Sequence, residues 1–411
     1  MRNVSMRALI AAVVASLAWG GAPALAQRQK APSYKLSWAV QPLLAEAQKA
    51  QNANDHAAAI AALDRAAAVA DATPDDRYLT GVLLINSGIS LKDNAVIKRG
   101  VTLALESGRT PPEDQAKFVR TLGALALQEN DTAGALAHFE RYLQLNPNDA
   151  PVMAEMAELY RRQKQPQKSV EMMRRAIEVQ EKTSNAKADE TWYRRLVAIA
   201  YDANLPAETT AASEALVRAY PNPTNWRDVV VIWRETNRLD DQTNLDALRL
   251  QRAARALTGE RDFYEYAELA SFRGLPGESK AVIDEGVAAG ALNLQKQVVR
   301  ELNAKVTSQL AADKASLATA EKEARAAANA RVAMGAGEAF LGYGQYEKAA
   351  EMFRLALTKT GVDPAVANTR LGIALARAGD KAGAAQAFAA VTTPPRAQLA
   401  RFWQIWNEQR P

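Results

Sequence analysis

Residues 116–183 read AKFVRTLGALALQENDTAGALAHFERYLQLNPND followed by APVMAEMAELYRRQKQPQKSVEMMRRAIEVQEKT, and the two halves carry one pattern. In the first half Leu122 and Gly123 fall in one apolar helix, Ala135 and Phe139 in the next, and Pro147 marks the stop. Shifting the first four by thirty-four positions lands on Met156, Ala157, Ser169 and Met173, again large, small, small and large, and Tyr142 lands on Ala176. The physical content is close helix contact. A Gly or Ala on the first helix lets the second approach, and the Phe or Met of the second fills the groove this leaves. One such pair holds too little core to stand alone, so pairs must stack and stabilise their neighbours.

A period of thirty-four residues with this large-small-large order resembles the tetratricopeptide repeat family. The resemblance extends over most of 36–391. It is strong in four copies and weak elsewhere, and the most recognisable text is GYGQYEKAAEMFRLAL at 342–357. That copy places Gly337, Phe340, Ala349, Phe353 and Ala356, and its partner repeats them thirty-five positions on as Gly372, Leu375, Ala384, Phe388 and Val391. The expected fold is all-α, a right-handed superhelical solenoid of stacked antiparallel helix pairs.

Working outward, 36–115 reads as degenerate repeats, with Leu43, Leu44 and Ala47 facing Ala59, Ile60, Leu63 and Ala66 across a turn capped by Asp55. Tyr78, Gly81, Val82 and Ile85 then face a helix from Ala95 to Leu105. The clear repeats span 116–223 with a polar insertion from Ser184 to Asp189. Segment 224–290 is degenerate again: Trp226, Val229, Val230 and Trp233 fall at helical spacing, as do Phe263, Tyr266, Ala267 and Ala270. Between 291 and 329 there is no Gly or Pro, and Leu294, Val298, Val299, Leu302, Val306 and Leu310 make a stripe on either one long helix or two joined near Asp313, two being favoured because Asp313 is placed to cap the second. Repeats resume over 330–393. A capping helix at 396–411 turns Leu399, Phe402, Trp403 and Trp406 to the last repeat and Arg401, Gln404 and Glu408 away from it.

The N-terminus carries Arg2 and Arg7, an apolar run from Ala8 to Trp19 and the small-residue site Ala24-Leu25-Ala26. This predicts a secretory signal, 1–26, cleaved near Ala26/Gln27, with a flexible lead at 27–35. The run is shorter than the roughly 20 residues that cross a bilayer. The chain has no cysteine, which excludes a lipid-modified N-terminal cysteine and suits an oxidising compartment without disulfides. A periplasmic or secreted location follows, with no transmembrane segment in the mature chain. The net charge of +5 falls to about +3 once both arginines leave, too small a surplus to argue for nucleic acid.

Phosphate loops, HExxH and nucleophile elbows are absent from the sequence. The two histidines, His56 and His138, have no metal-type partners in the sequence pattern. Neither catalytic residues, nor a metal, nor a cofactor is expected. What the resemblance implies is a non-catalytic scaffold binding a peptide or protein partner on its concave face, formed by the first helix of each pair. On that face it places Lys117, Arg120, Arg161, Arg162 and Arg194, followed by Tyr201, Tyr264 and Glu268. A run of cations favours an acidic peptide or an anionic polymer, such as an anionic polysaccharide. The carboxylate clamp used by some relatives is not matched, since Ala124 and Glu155 stand where asparagines belong. Envelope assembly is the first role implied and exopolysaccharide synthesis or export the second. An enzyme acting on glycan or peptide is a third class, distinguished by a clustered pair of buried carboxylates.

Overall fold

The computed structural model describes residues 33–410. The expected signal and residues 27–32 of the expected lead lie outside that range. Among the described residues there are twenty α-helices and no sheet, and the chain divides into two compact units, Met1–Ala186 and Lys187–Pro411. It is an all-helical repeat solenoid.

The first unit contains α1 (Gln41–Asn52), α2 (His56–Ala67), α3 (Pro74–Leu91), α4 (Asn94–Glu106), α5 (Pro112–Gln128), α6 (Thr132–Leu145), α7 (Ala150–Arg162) and α8 (Pro166–Ser184). The second contains α9 (Glu190–Asp202), α10 (Pro206–Ala219), α11 (Pro223–Thr236), α12 (Asp241–Ala253), α13 (Gly259–Phe272), α14 (Pro276–Ala288), α15 (Gln297–Ala326), α16 (Ala330–Gly342), α17 (Tyr346–Leu357), α18 (Pro364–Ala378), α19 (Lys381–Ala389) and α20 (Arg396–Gln409).

A single turn type closes most pairs. Asn54, Lys92, Asn130, Lys164, Asn204, Gly274, Gly344 and Gly379 are left-handed, each two residues before the first residue of the second helix. The next N–H then reaches back five residues to a free carbonyl of the first helix, as from Asp131 to Ala126 (2.8 Å) and from Asp380 to Leu375 (2.9 Å). Where that next residue is Asp, its side chain caps the second helix: Asp55 accepts from the Ala58 N–H (2.9 Å) and Asp131 from the Gly134 N–H (2.8 Å). Proline opens the helix where that residue is Gln165, Leu205 or Leu275, at Pro166, Pro206 and Pro276, whereas α17 starts at Tyr346 after Gln345 with neither device.

The predicted close approach is present in three copies. A Cβ on Gly123 would stand 2.5 Å from the Phe139 ring, one on Gly337 2.6 Å from the Phe353 ring, and one on Gly372 would strike the Phe388 ring likewise. In each copy the aromatic ring follows its glycine by sixteen positions, and Ala157 and Met173, both fully buried, keep the same interval. The pair α3 and α4 is tighter still, with Gly81 and Gly100 backbone to backbone, so that either Cβ would meet the other's carbonyl at 2.6–2.7 Å.

Two expectations for the second unit are corrected. The segment read as two helices is one thirty-residue helix, α15. Asp313 lies inside it, and its carboxylate accepts a hydrogen bond from the hydroxyl of Tyr343, the residue that follows α16 (2.7 Å). Leu294 and Val298 of the predicted stripe are exposed, whereas Val299, Leu302 and Val306 are buried. The last helix, α20, does more than cover α18 and α19. Leu399, Phe402, Trp403 and Ile405 are all completely buried, so its apolar surface is wider than one stripe and needs cover on more than one side. The second cover is α10 to α12. Trp233 of α11 donates to Gln398 (3.0 Å) and meets the Phe402 ring edge-on, Gln409 donates to the Val217 carbonyl (2.7 Å), and Trp403 donates to the Asp246 carbonyl (3.2 Å). The residues expected to face away are engaged too, Arg401 with Glu214 at 3.0 Å and Glu408 with Arg218 at 2.7 Å.

At the centre of this closure sits a buried ionic network. Asp246 of α12 takes Arg249 (2.8 Å) and Arg396 of α20 (2.8 Å), with Arg370 of α18 at 3.5 Å. Arg249 also grips Glu278 of α14 through two hydrogen bonds of 2.8 and 2.6 Å, and Tyr266 donates to the same carboxylate at 2.7 Å. Arg370 reaches Glu338 of α16 at 3.0 Å. Burial works to raise the Asp246 carboxyl, but Arg370, Arg396 and Arg249 outweigh it and hold the group at about 2.

Candidate interaction groove

The sequence-predicted basic face exists as a set of paired charges. In the first unit Lys117 lies 3.0 Å from Asp114, and Arg120 lies 3.6 Å from Asp149 and over the Tyr142 ring. Arg161 and Arg162 share Glu158, at 2.7 and 3.4 Å. In the second unit Arg194 is bonded to Asp228 and lies 3.8 Å from Glu190. Each named cation therefore already faces a carboxylate at an i+3, i+4 or neighbouring-helix position. Exposed pairs of this kind contribute little to stability, at most about 1 kcal/mol, and they leave no uncompensated positive strip.

A groove does exist in the second unit, where α11, α12, α13 and α15 face one another. A hollow of about 320 Å³ is lined by Arg227, Arg234 and Glu235 of α11, Asn244 of α12, and Arg261, Asp262 and Glu265 of α13. A second, of about 470 Å³, adjoins it at Asn244 and Glu265 and continues along Glu268, Leu269 and Phe272 of α13 to Leu302 and Lys305 of α15. Both volumes fall in the range that accommodates side chains or small ligands.

The walls are set by hydrogen bonds. Arg227 holds Asp262 (3.0 and 3.4 Å), and Asp262 also accepts from the Thr258 N–H at the head of α13 (3.0 Å). The Asp262 bond, more than the partial burial opposing it, raises the affinity of the Arg227 guanidinium for its proton. Arg234 bridges Asn244 (2.7 Å) and Glu265, tying α11 to both α12 and α13. Of the sequence candidates, Glu268 lines the groove and Tyr264 donates to it at 3.1 Å. Burial and that carboxylate raise the Tyr264 phenol above its ordinary value. Tyr201 of α9 reaches the edge, its hydroxyl 3.4 Å from Glu235. Lys117, Arg120, Arg161 and Arg162 belong to the other unit, and Arg194 is not among the lining residues.

The remaining lining residues were not singled out from the sequence. Arg227 and Arg234 lie in a segment where the repeat pattern is degenerate, and Leu302 and Lys305 belong to α15, which is no repeat at all. A usable signal was present: Arg261, Glu265, Glu268 and Phe272 recur at i, i+4, i+7 and i+11, one face of a first helix. Phe272 is an apolar residue on that otherwise charged face and is 73% exposed.

No group of three or more metal-ligating side chains is found among the described residues, and no described helix is long and apolar enough to cross a membrane. The buried carboxylates Asp246 and Glu278 are each gripped by arginine.

Helix pairs, left-handed turns and glycine-to-phenylalanine contacts define an all-helical repeat protein. The tetratricopeptide repeat family model matches residues 126–188, and the helix pairs on either side repeat the same turn and packing geometry. No curated protein matches it in sequence. Among solved structures it is similar to a tetratricopeptide repeat protein from Parabacteroides merdae, with 14% identity, 82% of this chain and 100% of that one covered, and a TM-score of 0.29. It is also similar to YrrB, described as a TPR protein with an unusual peptide-binding site, with 14% identity, 44% and 86% covered, and a TM-score of 0.30. The P58(IPK) TPR domain is similar at 12% identity, with 90% and 97% covered and a TM-score of 0.25.

Proposed function

We propose that the protein is a non-catalytic interaction scaffold of the bacterial periplasm, serving envelope assembly and holding a peptide or protein partner in the groove between α11, α13 and α15. The groove itself carries this reading. Two adjoining hollows, with charged walls at one end and the exposed Phe272 at the other, offer both directional contacts and apolar area. The charged, apolar and small-residue succession of 1–26 supports placement outside the cytoplasm. The paired state of the basic residues favours a partner of mixed charge over a purely acidic one.

The test is a photo-crosslinking residue in place of Tyr264, expressed in the native host and activated in intact cells. A discrete adduct in the periplasmic fraction, absent when the crosslinker replaces the half-buried Lys98 of the first unit, is the expected result. Equal adducts at both positions, or none at 264, would refute the groove as the partner site.

A further inference from the structure

We infer that the groove selects an extended polypeptide segment in which an apolar side chain and a carboxylate stand about five residues apart, the apolar group against Leu269, Phe272 and Leu302 and the carboxylate on Arg261. This rests on the groove being the partner site and adds what the partner must carry.

One end of the groove is apolar. Phe272 closes α13 with 73% of its surface exposed, and Val298, one turn before Leu302 on α15, is 52% exposed. Leu302 itself is buried and floors the larger hollow beside Leu269. An unpartnered aromatic at the mouth of a hollow of about 470 Å³ supplies the kind of anchor pocket that dominates binding energies at interfaces. The pocket exists because α15, which is not a repeat helix, runs past the end of α13.

The other end of the groove offers charge complementarity. Of the three arginines in the smaller hollow, Arg227 is bound to Asp262 and Arg234 to Glu265, while Arg261 is exposed and has no carboxylate partner among the described residues. Within the smaller hollow it is therefore the cation left to receive a charge from outside, while Lys305 borders the larger one. Arg261 and Phe272 lie on the same face of α13, eleven residues apart, which is about 16 Å along the axis at 1.5 Å per residue. An extended chain covers that distance in about five residues at roughly 3.3 Å each. Between them on α13 Glu268 lines the wall, which disfavours a further carboxylate on the partner residues beside it.

The experiment pans a random dodecapeptide phage library on the full mature chain. Expected is at least tenfold enrichment, over the input library, of peptides pairing Phe, Leu, Ile or Met with Asp or Glu about five positions away. Two variants then read each end: with Phe272→Asp the apolar preference disappears, and with Arg261→Glu the acidic preference gives way to Lys or Arg. Both side chains are exposed, so neither change reaches the core. No enrichment, a consensus without the spaced carboxylate, or one unaltered by both variants overturns the inference. The crosslink at position 264 separates this from the broader reading: an adduct there without the spaced pair removes the recognition rule alone.

Discussion

The two units are built from the same helix pairs yet are held together differently. In the first, the packing that matters is between neighbours: Gly123 on Phe139, Gly81 on Gly100, and a continuous apolar cluster from Val40 to Leu122. In the second, α20 reaches helices 150 to 190 residues earlier through Arg396 to Asp246, Trp403 to the Asp246 carbonyl and Arg218 to Glu408. A stack of neighbour contacts loosens locally from its ends, whereas a stack closed by its last helix must open as a whole. The difference teaches that repeat text specifies the pairs and their turns, while residues outside the repeats decide how independent the pairs remain.

The largest expected effect breaks the comparison on the second unit's side. Asp246→Ala leaves three guanidiniums in the interior without their shared carboxylate and should destabilise that unit by about 3–5 kcal/mol. Trp192, Trp226, Trp233, Trp403 and Trp406 all lie in that unit, against Trp38 in the described part of the first, so the denaturant midpoint read by tryptophan fluorescence should fall. An unchanged midpoint would mean that the network contributes nothing.

Acid should act on the same network. The Asp246 carboxyl sits at about 2 in the folded chain against an ordinary 3.8, so the unfolded chain binds more protons between those values. Its contribution, about 2–3 kcal/mol, is fully present above the ordinary value and is lost as pH falls from about 4 towards 2. Glu278, also held below its ordinary value because Arg249 and Tyr266 outweigh its burial, loses its contribution in the same direction. Urea midpoints of the second unit measured from pH 6 downwards should stay level to about 4 and then drop. A decline beginning near pH 6 would contradict this assignment.

Gly123→Leu should cost the first unit about 1–3 kcal/mol by driving a side chain into the Phe139 ring. Its effect should stay with α5, α6 and their neighbours, visible in hydrogen exchange and silent in tryptophan fluorescence. The smallest effect sharpens the contrast from the surface: Arg161→Glu with Arg162→Glu breaks exposed pairs with Glu158 and should change stability by less than about 1 kcal/mol. A larger loss would show that those pairs have a packing role.

The repeat grammar made the fold readable because its signals are local. Gly123, Gly337 and Gly372 each announce a ring sixteen residues on, and Asp55 announces a cap. What could not be read depended on contacts across long sequence intervals. Nothing in LARFWQIW shows that its second apolar side meets α10 to α12, and nothing near Asp246 shows that Arg370 and Arg396 arrive there. The single helix at 297–326 was misread because Asp313 looks like a cap until Tyr343 is placed beside it. Of the groove, Glu268 and its partner Tyr264 were legible as exposed groups on a first helix. Arg261 and Phe272 were not, since their meaning depends on which neighbouring charges are already paired and on where α15 passes.

Hydrogen exchange on a chain ending at Pro395, compared with the full chain, tests the closure most directly. The account predicts that deleting α20 strips protection from α10, α11 and α12, residues 206–253, as well as from α18 and α19, and leaves α1 to α8 unchanged. Loss of protection confined to α18 and α19 would contradict it.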